Sequence, residues 1–209
     1  AVSLRFVGLA NFAQALEDPV VRRSIGNTFV YVAIVLPGGV LLGLGAALLV
    51  HARTRMRSVW EVIYFLPVTS TLIAMATVWQ FVLHPRLGPV NAVLRDLGWG
   101  EWAFLSEPSL VLPTLAFIGI WQVVGFNMVL FLAGLTAIPR DLYDAAALDG
   151  AGGGLDRFLR VTWPLLGPTM LFVVLITTIR AIRTFDTVAT LTQGGPNKAS
   201  ELIVYTIYQ

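Results

Sequence analysis

Four tracts of this chain carry no charged side chain: Ser24–Val50, Val62–Leu83, Pro108–Pro139 and Val161–Ile179. Each reaches the roughly 17–25 residues that a helix rising 1.5 Å per residue needs to cross about 30 Å of hydrocarbon. The pattern predicts spans at about 25–50, 59–83, 110–136 and 165–184, with a further apolar run starting at 201. A soluble chain of 209 residues has no way to bury four such tracts on every side. Ahead of the first tract, Phe6, Leu9, Phe12 and Leu16 recur at three- and four-residue spacing. That spacing predicts a short interfacial helix stopped by Pro19, within a peripheral segment 1–23. The fold class expected is all-α, a polytopic membrane helix bundle over residues 24–209.

The spans are interrupted by residues that matter in lipid. The first holds Pro37, Gly38, Gly39, Gly43 and Gly45; small residues allow close helix contact, and proline is tolerated where neighbours satisfy the freed carbonyl. The second carries Pro67 and the polar set Thr69, Ser70 and Thr71, the third Pro113, Gly119 and Gly125. Between them, residues 84–107 read as a surface segment with a short helix at Val90–Leu97 and interfacial Trp99 and Trp102.

Composition strengthens the membrane reading. Hydrophobic residues make up 56% of the chain and charged residues 12%, against about 25% charge in an ordinary soluble domain. Mean hydropathy is +0.77. The net charge of +2 comes from basic residues lying mostly at tract ends, where they reach headgroups, so a nucleic-acid partner is not expected. With no cysteine and two histidines, disulfides are excluded and a protein metal site is not expected; His51 and His84, at tract boundaries, read as interfacial. The dense connection His51–Arg57 belongs in the cytoplasm by the positive-inside rule. Alternation then puts 84–107 outside, 137–164 inside and 187–199 outside. The basic residues taken together support this only weakly: Arg53, Arg55, Arg57, Arg140, Arg157 and Arg160 fall in the inner connections, against Arg86, Arg95, Lys198 and, counted with them, Arg22 and Arg23 outside.

Residues 140–160 do not read as a span. Leu142, Ala145, Ala146 and Asp149 keep helical spacing, and Asp141 near the helix start suits its dipole. Gly150 ends the helix where a left-handed residue is wanted. A second short helix, Leu155–Val161, follows before Trp163-Pro164 leads back into the membrane. A helix, a fixed break and a second helix could fit a cleft on a partner and transmit a push; an amphipathic connection lying on headgroups has the same pattern.

At this loop the chain resembles the transmembrane permease subunits of bacterial ABC importers, of the first type, for sugars and glycerol 3-phosphate. The family signature of an acidic residue, two alanines, a few residues, glycine and a later proline is matched by Asp144-Ala145-Ala146, Gly150 and Val161-Thr162-Trp163-Pro164. Aspartate stands at 144 for the usual glutamate, and tryptophan at 163 for the usual leucine. Gly134-Leu135 with Ile138-Pro139, Asn27-Thr28, and Phe185-Asp186 followed by Leu191–Pro196 resemble other parts of the family pattern, over about 20–209.

The resemblance implies a type I ABC importer transmembrane domain whose cytoplasmic coupling helix enters a groove on a separate ATPase, with Asp144, Ala145, Ala146, Asp149 and Gly150 as coupling residues. It implies a multi-pass protein of the bacterial inner membrane, a second permease subunit that is usually a different chain, and two ATPase subunits that bind ATP-Mg. It further implies an extracytoplasmic solute-binding protein and a saccharide or polyol solute. This chain has no GxxxxGK[ST] loop, so no cofactor and no catalysis are expected of it.

Polar residues within spans face the bundle or a cavity. Gln80, Gln122 and Asn127 are candidates for the solute pathway, with Trp79 and Trp121 as stacking surfaces; inter-helix hydrogen bonding and packing is the commoner role of such residues. Arg180 and Arg183 could gate or attract anions, or snorkel to headgroups. The alternatives are a secondary transporter, which would want ion-coupling groups near the midplane that the first three tracts lack, a channel, whose pore-lining or re-entrant filter is not evident, and a structural membrane subunit that moves no solute. The short apolar run Leu202–Gln209 predicts a further helix beyond the C-terminal end, and the absence of an initiator methionine leaves room for one before Ala1, six spans in all.

Overall fold

The structure is a computed structural model that describes residues 8–52, 57–70, 72–151 and 153–209. Phe6 of the predicted interfacial face, Arg53 and Arg55 of the basic connection, and Thr71 lie outside the described residues.

Every described element is helical. The short helix α1 (Ala10–Glu17) ends at Asp18, whose Oδ1 accepts the Val20 N–H at 2.7 Å. Pro19 does not merely stop α1: it opens α2 (Pro19–Ala52), where a residue lacking an N–H costs nothing. At 34 residues α2 is about 51 Å long, and it carries Pro37 without breaking. The segment predicted as the second span is two helices, α3 (Arg57–Thr69) and α4 (Leu72–Val82). At the end of α3 the hydroxyls of Thr69 and Ser70 donate to the Leu66 carbonyl, at 3.0 and 3.1 Å, in competition with the main-chain ladder. Pro67 has already removed a donor there.

The surface helix α5 (Pro89–Asp96) falls within one residue of its prediction, and α6 (Pro108–Ala137) is continuous through Pro113. Then come α7 (Arg140–Leu148) and α8 (Gly154–Arg157). A single π-type turn (Phe158–Thr162) and α9 (Trp163–Leu165) continue α8. The predicted fourth span begins only at Gly167, as α10 (Gly167–Ile182), because the helical runs on either side of Leu166 diverge by 68°. Pro168 has no N–H to offer the Pro164 carbonyl, which removes one rung at the bend. Two six-residue helices, α11 (Asp186–Leu191) and α12 (Ile203–Tyr208), close the chain. By length and composition α2 and α6 can each cross a membrane, and up to four spans result if α3–α4 and α8–α10 each count as one.

The chain forms two compact units. One comprises Ala1–Ala33, Thr71–Ala116 and Ile182–Gln209; the other comprises Ile34–Ser70 and Phe117–Ala181. The second unit has a continuous core. Val40, Leu44, Ala47 and Val50 of α2 recur at helical spacing and are buried with Met128, Phe131, Leu132 and Leu135 of α6 and with Leu166 and Val173. On α10 the buried face is Val173, Thr177 and Ala181, while Leu171, Phe172, Leu175 and Ile179 are half or more exposed. An apolar exterior around a stripe that holds the polar residue is the arrangement expected of a helix in lipid. In the first unit, Asn91 of α5 is fully buried. It accepts the Trp102 N–H at 2.8 Å and donates to the Trp102 and His84 carbonyls, which fixes the surface segment.

Candidate functional site

The helix α7 is amphipathic in a way that leaves one face unused. Tyr143 and Ala146 pack toward the core of their unit, and the Tyr143 hydroxyl is 3.0 Å from that of Thr162. Asp141, Asp144, Ala145 and Leu148, spaced three and four apart, are exposed, Leu148 to 90%. Asp149 and Gly150 are exposed at the end of the helix, and Ala146 is half-buried.

The helix stops at a Schellman turn. Gly150 has φ +87°, its N–H reaches the Ala147 carbonyl at 3.3 Å, and the Ala151 N–H reaches the Ala146 carbonyl at 2.9 Å. Ala151, 2% exposed, seals the turn, and Arg157 Nε donates to its carbonyl at 3.1 Å. The break is therefore built rather than slack. Sequence spacing predicted Gly150 as the stop; the Tyr143–Thr162 tie had no sequence signal.

The solute candidates separate. Asn127 is 1% exposed, donates from Nδ2 to the Gly39 carbonyl at 3.1 Å, and accepts the Thr177 hydroxyl at 3.1 Å. It thereby joins α2, α6 and α10 inside their unit. Gly39 and Gly43 admit this approach: a Cβ at Gly43 would stand 2.7 Å from that of Asn127. Trp121 and Gln122, in the same unit, are half-buried. In the other unit, Gln80 is exposed and donates to the Thr190 carbonyl at 3.1 Å, linking α4 to α11, and Trp79 is half-buried. Arg180 lies over the Phe126 ring, 4.0 Å from its centroid, a cation–π contact; Arg183 is exposed. His84 accepts the Arg86 and Leu87 N–H groups on Nδ1, each at 3.2 Å, and so caps its own turn.

Long apolar helices, a lipid-like exterior and a rigid helix-turn-helix excursion define a membrane-embedded all-α protein. Residues 39–208 match the family described as "Binding-protein-dependent transport system inner membrane component". The chain belongs to that family, and is accordingly a permease component of a transport system rather than its ATP-hydrolysing subunit. It is 31% identical to a probable ABC transporter permease protein of Pyrococcus horikoshii, over 99% of this chain and 71% of that one. It is 30% identical to the sn-glycerol-3-phosphate transport system permease protein UgpA of Yersinia pestis, over 100% of this chain and 70% of UgpA. With the sulfoquinovosyl glycerol transport system permease protein SmoG of Agrobacterium fabrum the identity is 32%, over 98% of this chain and 66% of SmoG. Among solved structures, a bacterial ABC transporter involved in the import of the acidic polysaccharide alginate superposes with a TM-score of 0.87 at 24% identity, over 99% of this chain and 73% of that one. The bacterial alginate ABC transporter in complex with its alginate pentasaccharide-bound periplasmic protein superposes with a TM-score of 0.86 at 25% identity, over 97% of this chain and 71% of that one.

Proposed function

We infer that this chain is one of two permease subunits of an ATP-driven importer of a bacterial inner membrane, and that α7 couples it to a separate ATPase. The observation that carries the coupling role is the exposed face Asp144-Ala145-Leu148 beside a turn locked at Gly150. ATP-Mg binding draws two ATPase subunits together. Each carries a docked α7, the Gly150 turn and the Tyr143–Thr162 contact pass the displacement to α8–α10, and the pathway opens outward. The second permease is a different chain, and an extracytoplasmic binding protein delivers the solute.

The solute is a saccharide or polyol. Glycerol 3-phosphate, sulfoquinovosyl glycerol and alginate, named for relatives of this chain, are all hydroxylated compounds. Trp121 and Gln122, half-buried, are the pathway contacts favoured in the second unit, and Trp79 and Gln80 those in the first. Asn127 would contribute only if its Gly39 and Thr177 bonds open during the cycle.

The test is purification of the full-length protein from its native membrane in mild detergent, with every partner identified by mass spectrometry. Recovery of an ATPase with a Walker-type loop and a second permease is expected. Repeated recovery of this chain alone across several detergents would overturn the coupling role and return the channel and secondary-transporter readings.

A further inference from the structure

Between them α6 and α10 carry one charged side chain, Arg180, and coupling leaves it unused. It lies within the predicted span 165–184, three positions after Thr177 and beside the buried stripe of α10. Thr177 bonds to Asn127, and Phe126 is the neighbour of Asn127 on α6. The Arg180 guanidinium lies over that ring, with Cζ 4.0 Å from its centroid. Snorkelling would instead extend the side chain along α10 toward the end of the helix. The charge is therefore held sideways against a neighbouring helix, at the level of the buried Asn127–Thr177 bond.

An arginine facing hydrocarbon is costly, and such residues turn toward a bundle interior or a water-filled cavity. This chain does not enclose Arg180, which is exposed, so the side on which it lies must meet water or protein within the membrane. Gln122 stands one turn before Phe126 on the same face of α6 and is half-buried. Guanidinium, ring and carboxamide thus share one side of the helix pair. Phe126 holds the cation through its quadrupole, and a quadrupole adds no negative charge. A guanidinium so placed offers its planar fork to the paired oxygens of a carboxylate, phosphate or sulfonate. The carboxamide of Gln122 can donate to and accept from hydroxyls.

We propose that Arg180 sets the charge preference of the pathway, and that the solute of this importer is a hydroxylated compound bearing an anionic group. The proposal rests on the importer reading and narrows the class of its solute. A contact with the second permease would also remove Arg180 from lipid, but it would close Gln122 and Arg180 off from water. A cation between low-dielectric walls raises the local concentration of anions about tenfold or more. The preference is therefore measurable before the solute is known.

The experiment uses the complete complex in lipid nanodiscs. Gln122→Cys is treated with a sulfonate-bearing and with a trimethylammonium-bearing methanethiosulfonate, and each rate is divided by that of the same reagent with a free thiol. The complex without the substitution supplies the background. With Arg180 in place the corrected ratio should favour the anionic reagent by about tenfold. Arg180→Gln should bring the ratio near unity, and Arg180→Lys should keep most of the preference. A ratio that Arg180→Gln leaves unchanged overturns the proposal. A side chain that only packs α10 against α6 would, when replaced, lower assembly or thermal stability without moving the ratio. No reaction with either reagent, in a Gln122→Cys complex that assembles, overturns the pathway placement. Arg180→Cys, labelled in the same way, decides that point if Gln122→Cys does not assemble. The ratio needs no nucleotide, so failure of the importer reading, with no ATPase recovered in the complex, is read separately from failure of the anion preference.

Discussion

Asn127 and the glycines near it set how closely the helices of the second unit approach. In lipid there is no hydrophobic drive between helices, so close packing and buried hydrogen bonds carry the association. At Gly125 a Cβ would collide with the backbone carbonyl of Tyr64, so Gly125→Ala must push α3 away from α6. Thermal unfolding of the purified protein should show a loss of about 1–3 kcal/mol. Gly45→Ala meets no atom within 4 Å and should be neutral or gain up to about 1 kcal/mol. Equal effects at the two positions would contradict the packing described. The Asn127–Thr177 hydrogen bond should give a coupling of about 0.6 kcal/mol in a cycle of Asn127→Ala and Thr177→Val, the average for inter-helix bonds in membranes. Zero coupling would mean that the bond is not formed in the membrane.

At the scale of the element, α7 is the best case of sequence dictating structure. Its start after Pro139 and its stop at Gly150 were both legible, because a helix C-terminus has a local requirement, a left-handed residue, that glycine meets at least cost. Gly150→Val should therefore distort the turn and reduce ATP-driven transport several-fold, while Gly150→Asn retains most of it, since asparagine tolerates the left-handed region. Asp144→Lys, on the exposed face, should abolish coupling without lowering the yield of assembled permease. Transport normal in both Gly150→Val and Asp144→Lys would remove α7 from the coupling role. The break between α3 and α4 was not legible. Hydropathy is blind to it, since residues 62–83 carry no charge on either side of the break, and the Thr69 and Ser70 hydroxyls that bond to the Leu66 carbonyl there leave hydropathy unchanged. Asn127 could be picked out as a buried polar residue, but whether it faces a cavity or another helix is decided by residues 39 and 177, far away in sequence.

Across the whole molecule, the sidedness of the connecting segments is an expectation from the basic residues and the alternation of spans. The segments expected outside, 84–107 and 187–199, fall in one unit, and the described residues of those expected inside, 51–57 and 137–164, fall in the other. The boundaries between the units fall within the predicted spans, at Ala33, Ser70, Ala116 and Ala181. Charge counting alone left the orientation resting on one basic connection, so the two units need an independent label of side. The absence of cysteine in these 209 residues supplies the means. Leu148→Cys, at a position 90% exposed on α7, and Asn197→Cys, at an exposed position of the segment 187–199, can each be introduced singly and treated with a membrane-impermeant maleimide. Asn197→Cys should react in right-side-out vesicles and Leu148→Cys only in inverted ones. Both reacting from one side would break the alternation of spans. The reverse pattern would turn the whole chain over and put α7 out of reach of any cytoplasmic ATPase.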